Sequence, residues 1–288
     1  MALLLADAGR LTQDQFTQGV IETIIIESQI IQMLPFVDVV GSALVYNQEA
    51  TTGSASWYAV DDTWTEAATT VTQKTTTLKI LGGDVDVDNF LQQTYRNPND
   101  LRAEVIAEKA KAVAYAFNDA FFNGTGLTNQ PTEIFNLVTA GQTLALGGAV
   151  YSLDLLDQLI DLVKPGKPDA ILMSKRSRRQ LKALMRASGS QIENDLNKFG
   201  QRISYYDGIP IVVDDNISDA GGVGTNQSKI AAVKFGFNTG VCGLMNGMIQ
   251  AEDVGNLETK DARRTRLKWY VGLCNFSDLA LAVMTGVI

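Results

Sequence analysis

The residues able to do chemistry are constrained first by a gap in the composition: the 288-residue chain contains no histidine. It therefore lacks the commonest general base and the commonest metal ligand, which argues against hydrolase, transferase and zinc chemistry. Cys242 and Cys274 are the only cysteines. Two cannot build a disulfide framework, and their separation matches no zinc-ligand spacing, so they read as reduced core thiols. Asp214 and Asp215 fall at the end of an expected strand, where an α/β enzyme can place a carboxylate pair, but no nucleophile elbow or glycine fingerprint accompanies them. Asp84-Val85-Asp86-Val87-Asp88 imitates the opening of a calcium loop. Asn89, however, stands where an EF-hand needs glycine, and Tyr95 where it needs a bidentate glutamate. The same alternation describes a half-buried strand with carboxylates outward and valines inward. Gly124-Thr125-Gly126 follows an expected helix rather than a strand and precedes no Lys-Ser/Thr pair, so it reads as a helix stop and turn, not a phosphate loop. The expectation is a protein that is not an enzyme, with no catalytic residues, cofactor or metal.

What remains is charge. The net charge is −8 and the pI near 4.7, so the surface as a whole has no counterion-release drive towards nucleic acid. Two basic clusters stand against this background. Lys175, Arg178, Arg179, Lys182 and Arg186 recur at helical spacing opposite Leu181, Leu184 and Met185. Three readings are open for that face: solvation, contact with an acidic surface of another copy of the chain, and weak contact with DNA. The second cluster, Arg263, Arg264, Arg266 and Lys268, alternates as strand residues do, so one face suits carboxylates of another chain. Asp61, Asp62 and Glu66, at the tip of an expected hairpin, are the partners named for it, with plain solvent exposure as the equal alternative.

These residues need elements to carry them. Hydrophobic residues make up 45% and charged residues 19%, within the ordinary globular range. The longest apolar run, Leu279 to Met284, falls far short of the roughly 20 residues a membrane span needs. The N-terminus has no basic flank and reaches Asp7 early, a poor secretory signal, so synthesis in a cytoplasm is expected. A helix is expected from Thr12, with Gln15 completing a capping box, to just before Pro35. Phe16, Val20 and Ile24 form its stripe, widened by Ile21, Ile25, Ile30, Ile31 and Leu34. Extended chain follows from Phe36. The Thr-rich stretch from Asn47 to Lys79, with Trp57 and Trp64, predicts strands over Tyr46 to Tyr58 and Thr70 to Leu81 meeting near Asp61-Asp62. Its polar residues lie on both faces, so it reads as an arm that needs a neighbour's surface.

After the cap Asn97-Pro98-Asn99-Asp100 comes the strongest helix signal, with Ile106, Ala110, Val113, Phe117, Ala120 and Phe121 on one stripe. From Ser152 the pattern alternates: helix Ser152 to Val163, strand Asp169 to Met173, helix Ser174 to Ala187, strand Ile209 to Val213, a Gly-rich loop at Asp219 to Thr225, and strand Lys229 to Phe235. Met248 to Ile288 reads as strands, the last expected to rejoin the long helix.

In this order the parts resemble the tailed-bacteriophage major capsid proteins with the Hong Kong 97-like capsid fold. The residues that carry the resemblance are Trp64-Thr65-Glu66-Ala67-Ala68 running into Thr75-Thr76-Thr77-Leu78-Lys79, and Val85-Asp86-Val87-Asp88 before the long helix. Phe122-Asn123-Gly124-Thr125-Gly126 with Asn129-Gln130-Pro131 belongs to it too, as do Gly208-Ile209-Pro210-Ile211-Val212, Phe235-Gly236 and Ala280 to Val283. Each motif is weak alone; their order over residues 40–288 is the signal.

The resemblance implies an α+β fold in five parts: an N-terminal arm (1–45), an extended β-hairpin loop (46–82), a peripheral domain with a long spine helix (83–150), an α/β axial domain (151–247), and terminal strands returning to the peripheral domain (248–288). It implies a subunit that self-assembles through hexamers and pentamers into an icosahedral virion capsid enclosing DNA. Asp61, Asp62, Trp64, Glu66, Lys175, Arg179, Arg263, Arg264 and Arg266 are its expected interface residues. Scaffolding, portal and possibly decoration proteins are the implied partners, with weak DNA contact, no membrane, and assembly in the host bacterial cytoplasm. Some members of the family cross-link a hairpin lysine to a neighbour's asparagine; Thr70 and Lys268 hold those positions here, so no cross-link is expected. No long assembly domain is expected before the arm, which leaves a separate scaffold or removal of a prior segment open. The rival readings are an encapsulin-like nanocompartment, an α/β enzyme with an accessory arm, and a phage tail or adhesin component.

Overall fold

The computed structural model describes residues 29–51, 53–94, 101–127, 129–189, 193–196, 202–219 and 227–288. Most of the expected N-terminal helix, the Asn97-to-Asp100 cap and the greater part of the Gly-rich loop lie outside them. The chain begins with a short helix α1 (Gln29–Met33) that stops before Pro35, then strand β1 (Phe36–Asp38). Ile30 and Leu34 are buried, so this end of the arm is docked onto the body. β2 (Ala43–Thr51) and β3 (Thr70–Thr77) form a separate two-stranded sheet. β4 (Lys79–Asp88) follows directly, then α2 (Asn89–Thr94) and the 23-residue α3 (Leu101–Asn123). The expected strand Thr70 to Leu81 thus divides near Leu78: residues before it pair with β2, and residues after it change sheets.

β5 (Thr143–Ala149), α4 (Leu153–Asp161), β6 (Ala170–Met173) and α5 (Lys175–Ala187) come next. Both helices start where the sequence places a serine. Ser152 accepts a hydrogen bond from the Leu155 amide, and Ser174 from the Ser177 amide, each at 3.2 Å. β7 (Glu193–Leu196), β8 (Arg202–Tyr206), β9 (Ile209–Val213), β10 (Ser228–Val233), β11 (Val241–Met245), β12 (Gln250–Asn256), β13 (Ala262–Asn275) and β14 (Leu281–Val287) complete the chain.

Two larger sheets share one core. In the first, the 14-residue β13 carries β4 along one edge and β12 and β11 end to end along the other, with β1 parallel to β11. α3 lays Ile106, Ala110, Val113, Phe117 and Phe121 of the stripe read from the sequence against it, while Ala120, also expected there, is only half-buried. Trp269 of β13 sits at the centre, its ring centroid 5.0 Å from Phe117 and 5.4 Å from Phe36. α3 ends at Gly124, where a Cβ would run into the carbonyl oxygens of Ala120 and Pro131, so glycine is required by close backbone approach.

The second sheet has the order β5-β14-β10-β6-β9-β8-β7. Its central strands bury both faces. Ala170 and Leu172, Ala231 and Val233, and Leu281 and Val283 join the core shared with α3, while Ile171 and Met173, Ile230 and Ala232, and Ala282 and Met284 pack under α4 and α5. This corrects the expectation for the C-terminal strand. β14 runs between β5 and β10 inside the second sheet rather than returning to the spine-helix sheet, because its Leu281-to-Met284 run is apolar on both faces and needs cover on both. β11, grouped with the α/β domain on sequence, pairs with β13 in the first sheet, and β5, grouped with the spine helix, edges the second.

Candidate assembly surfaces

The β2–β3 stem projects from the body with polar side chains on both faces and ends in the segment 53–69, which forms no strand. Its root is held by Tyr46, whose hydroxyl donates to the Asn275 carbonyl at 3.0 Å and whose ring meets Phe276 edge-on, and by the Lys74–Asp278 ion pair at 2.9 Å. Burial pushes the Tyr46 phenol up to about 12, so this anchor stays protonated and donating at neutral pH.

The tip has structure of its own. Asp61 takes a positive φ of 71°, and the Asp62 carboxylate accepts the Ala59 amide at 2.5 Å, closing a turn. Tyr58 stacks on Trp64 with ring centroids 4.4 Å apart, and its hydroxyl meets both the Thr65 amide and hydroxyl. Trp57, Val60 and Trp64 are nevertheless 103, 93 and 78% exposed. Burying one such side chain is worth roughly 1.5–3 kcal/mol, so the tip is a shaped apolar surface without a partner among the described residues. Asp61, Asp62 and Glu66 are exposed beside it.

The second basic cluster has a different environment from the one expected. Within the subunit its carboxylate partners lie on the neighbouring strands. Arg264 is directly opposite Asp86 and Arg266 directly opposite Asp84 in the β4–β13 register. Each pair is bidentate: Arg264 donates at 2.6 and 2.7 Å, Arg266 at 2.7 and 2.8 Å. Arg263 pairs with Asp253, which also receives Arg102 at 2.9 Å, and Lys268 pairs with Glu252 at 2.7 Å. Hydrogen bonds from Arg266 and Arg264 hold the Asp84 and Asp86 carboxyls below their ordinary range. The apparent calcium loop is thus one rail of an ionic ladder. The sequence held the signal, a period-two run of Asp matched by a period-two run of Arg and Lys, but not the register joining them.

On α5, Leu181 is buried, while Lys175, Arg179, Lys182 and Arg186 are exposed. Lys175 meets Asp215 at 2.5 Å. Asp214 accepts from the Asn118 amide nitrogen at 2.6 Å and from the Asn216 backbone at 2.8 Å, so the strand-end carboxylates tie α5 and α3 to the loop after β9.

The pairing of a long helix and a β4–β13 sheet with a second, mixed α/β sheet and a projecting hairpin is the Hong Kong 97-like capsid fold. A comparison with protein families matches residues 8–267 to the phage capsid family, and the chain belongs to that family. Solved structures sharing the fold include the holo-SrpI encapsulin complex of Synechococcus elongatus PCC 7942, at 19% identity over 92% of this chain and 89% of that one, with a TM-score of 0.75. The capsid of a native GTA particle matches at 14% identity over 91% of each chain, with a TM-score of 0.69. Microbacterium phage Oxtober96 matches at 15% identity over 89 and 90%, with a TM-score of 0.65. A sequence comparison with curated proteins found no match.

Proposed function

We propose that this capsid subunit builds the icosahedral head of a tailed bacteriophage by placing its hairpin tip over a neighbouring copy. The exposed Trp57, Val60 and Trp64 on a two-stranded stem without a core of its own carry this reading. Such an arm repays its exposure only when a second subunit covers it. Asp61, Asp62 and Glu66 supply the polar rim of that contact. Arg263, Arg264 and Arg266, already paired within the subunit, line the strip on which a neighbour's hairpin rests and share their guanidinium donors with its carboxylates. Lys175 and Arg179 face either an adjacent subunit of the same capsomer or the packaged DNA, by weak non-specific contact. In this reading α3 and the first sheet form the peripheral part and the second sheet the axial part. Assembly takes place in the host bacterium's cytoplasm, with scaffolding and portal proteins, and decoration proteins where a phage uses them.

Negative-stain electron microscopy of the purified protein beside its sedimentation profile tests this. Closed shells, or rings of five and six, are expected. A monomer that stays monomeric across salt and concentration, alone and with scaffold, would overturn it. A second reading, an encapsulin-like shell around a protein cargo, draws on the fold shared with the SrpI encapsulin. Shells that contain protein and no nucleic acid would favour it.

A further inference from the structure

Cys242 in β11 and Cys274 in β13 are directly opposite one another in the antiparallel register. Their sulfurs are 3.8 Å apart, and the two residues are 0 and 1% exposed. Opposed residues in such a ladder have Cα atoms about 4.5–5.5 Å apart, inside the roughly 4.4–6.8 Å that a disulfide spans. Around them lie Val39, Leu44, Tyr46, Leu78, Leu244 and Phe276, the residues that root the hairpin stem and the N-terminal strand on the body. We propose that these two thiols are an oxidative modification site, closing a cross-strand disulfide that staples the root of the hairpin once the protein leaves a reducing cytoplasm. The pairing belongs to the subunit fold and holds whatever the shell encloses.

With a small peroxide as oxidant the chemistry balances. The Cys242 thiolate attacks one peroxide oxygen, the O–O bond breaks, and a sulfenic acid and hydroxide result. The Cys274 sulfur then attacks the sulfenic sulfur; the S–S bond forms, the S–O bond breaks, and the departing hydroxide takes the Cys274 proton as water. Two thiols and one hydrogen peroxide give one disulfide and two waters. The neighbouring Cys242 thiol and burial hold the Cys274 thiol up, in its protonated form, so its attack proceeds as the hydroxide leaving the Cys242 sulfur takes its proton. Burial also favours the intrachain product, because each buried sulfur has the other within 3.8 Å.

The test treats the purified, assembled protein with hydrogen peroxide, counts free thiols in denaturant, maps unreduced peptides by mass spectrometry, and records the melting temperature. Free thiols should fall from two to none, a peptide linking Cys242 to Cys274 should appear, and the melting temperature should rise by roughly 4–10 °C, returning on reduction. In Cys274→Ala, Cys242 should stop at the sulfenic stage with no such rise. The wild-type comparison with and without reductant decides the matter even if that variant folds poorly. Two persistent thiols, sulfinic acids without a linked peptide, or a covalent dimer on a non-reducing gel would each overturn the proposal.

Discussion

Arg264 and Asp86 face each other across β13 and β4, and the guanidinium meets the carboxylate through two parallel hydrogen bonds. Arg266 and Asp84 repeat the arrangement two residues along. A basic cluster that looked available to another chain is thereby committed first to its own sheet. Arg264→Asp alone should lower the melting temperature of the subunit by a few degrees, because it sets like charges opposite one another. Adding Asp86→Arg should recover most of the loss. Thermal melts of the single and double variants, at low and high salt, check this; equal melting temperatures for all three would show the ladder contributes nothing.

The same ladder sets an acid dependence. Asp84 and Asp86 have folded-state values below the ordinary carboxylate value, so the unfolded chain binds their protons more readily. Their contribution is fully present above the unfolded value of about 4 and is lost as pH falls through the depressed folded values. Denaturant midpoints measured from pH 6 down to pH 2 should drop more steeply for the wild type than for Asp84→Asn/Asp86→Asn. Parallel curves would remove the ladder from the acid response.

The core beneath it is less forgiving. Trp269 is buried between Phe36 and Phe117, joining the N-terminal strand, the spine helix and the sheet. Trp269→Ala should cost about 3–5 kcal/mol through lost burial and the cavity left behind, and Trp269→Phe clearly less. Chemical unfolding of both variants measures the difference.

The hairpin tip should behave in the opposite way. Trp57→Ala should leave subunit stability within about 0.5 kcal/mol of wild type, since an exposed side chain loses no packing, while closed particles become rare. Sedimentation and melting of the same preparation separate the two effects. Normal shells from Trp57→Ala would show that this side chain does not carry the contact.

At the N-terminus of α5, Ser174 caps the helix and lies buried beside Ser177 and Ser228. Ser174→Ala should cost about 1–2 kcal/mol, with Ser174→Thr or Ser174→Asp retaining the cap only where the buried site admits the added atoms. Urea unfolding midpoints give the comparison.

Local physics was written plainly in the chain. The stripe Ile106, Ala110, Val113, Phe117 and Phe121 marks the spine helix, Ser152 and Ser174 start two helices, and Val85 and Val87 alternate inward, because periodicity and capping act over a few residues. The order of these elements, with no histidine to suggest catalysis, sufficed to suggest a capsid fold. What tertiary structure alone decided were the meetings of residues far apart in sequence. It placed Asp84 and Asp86 opposite Arg266 and Arg264, set Cys242 against Cys274, and put Leu281–Val287 in the second sheet rather than the first. Strand pairing depends on register and on which faces must be covered, and a run such as Leu281 to Met284 states that it must be buried without stating between which neighbours.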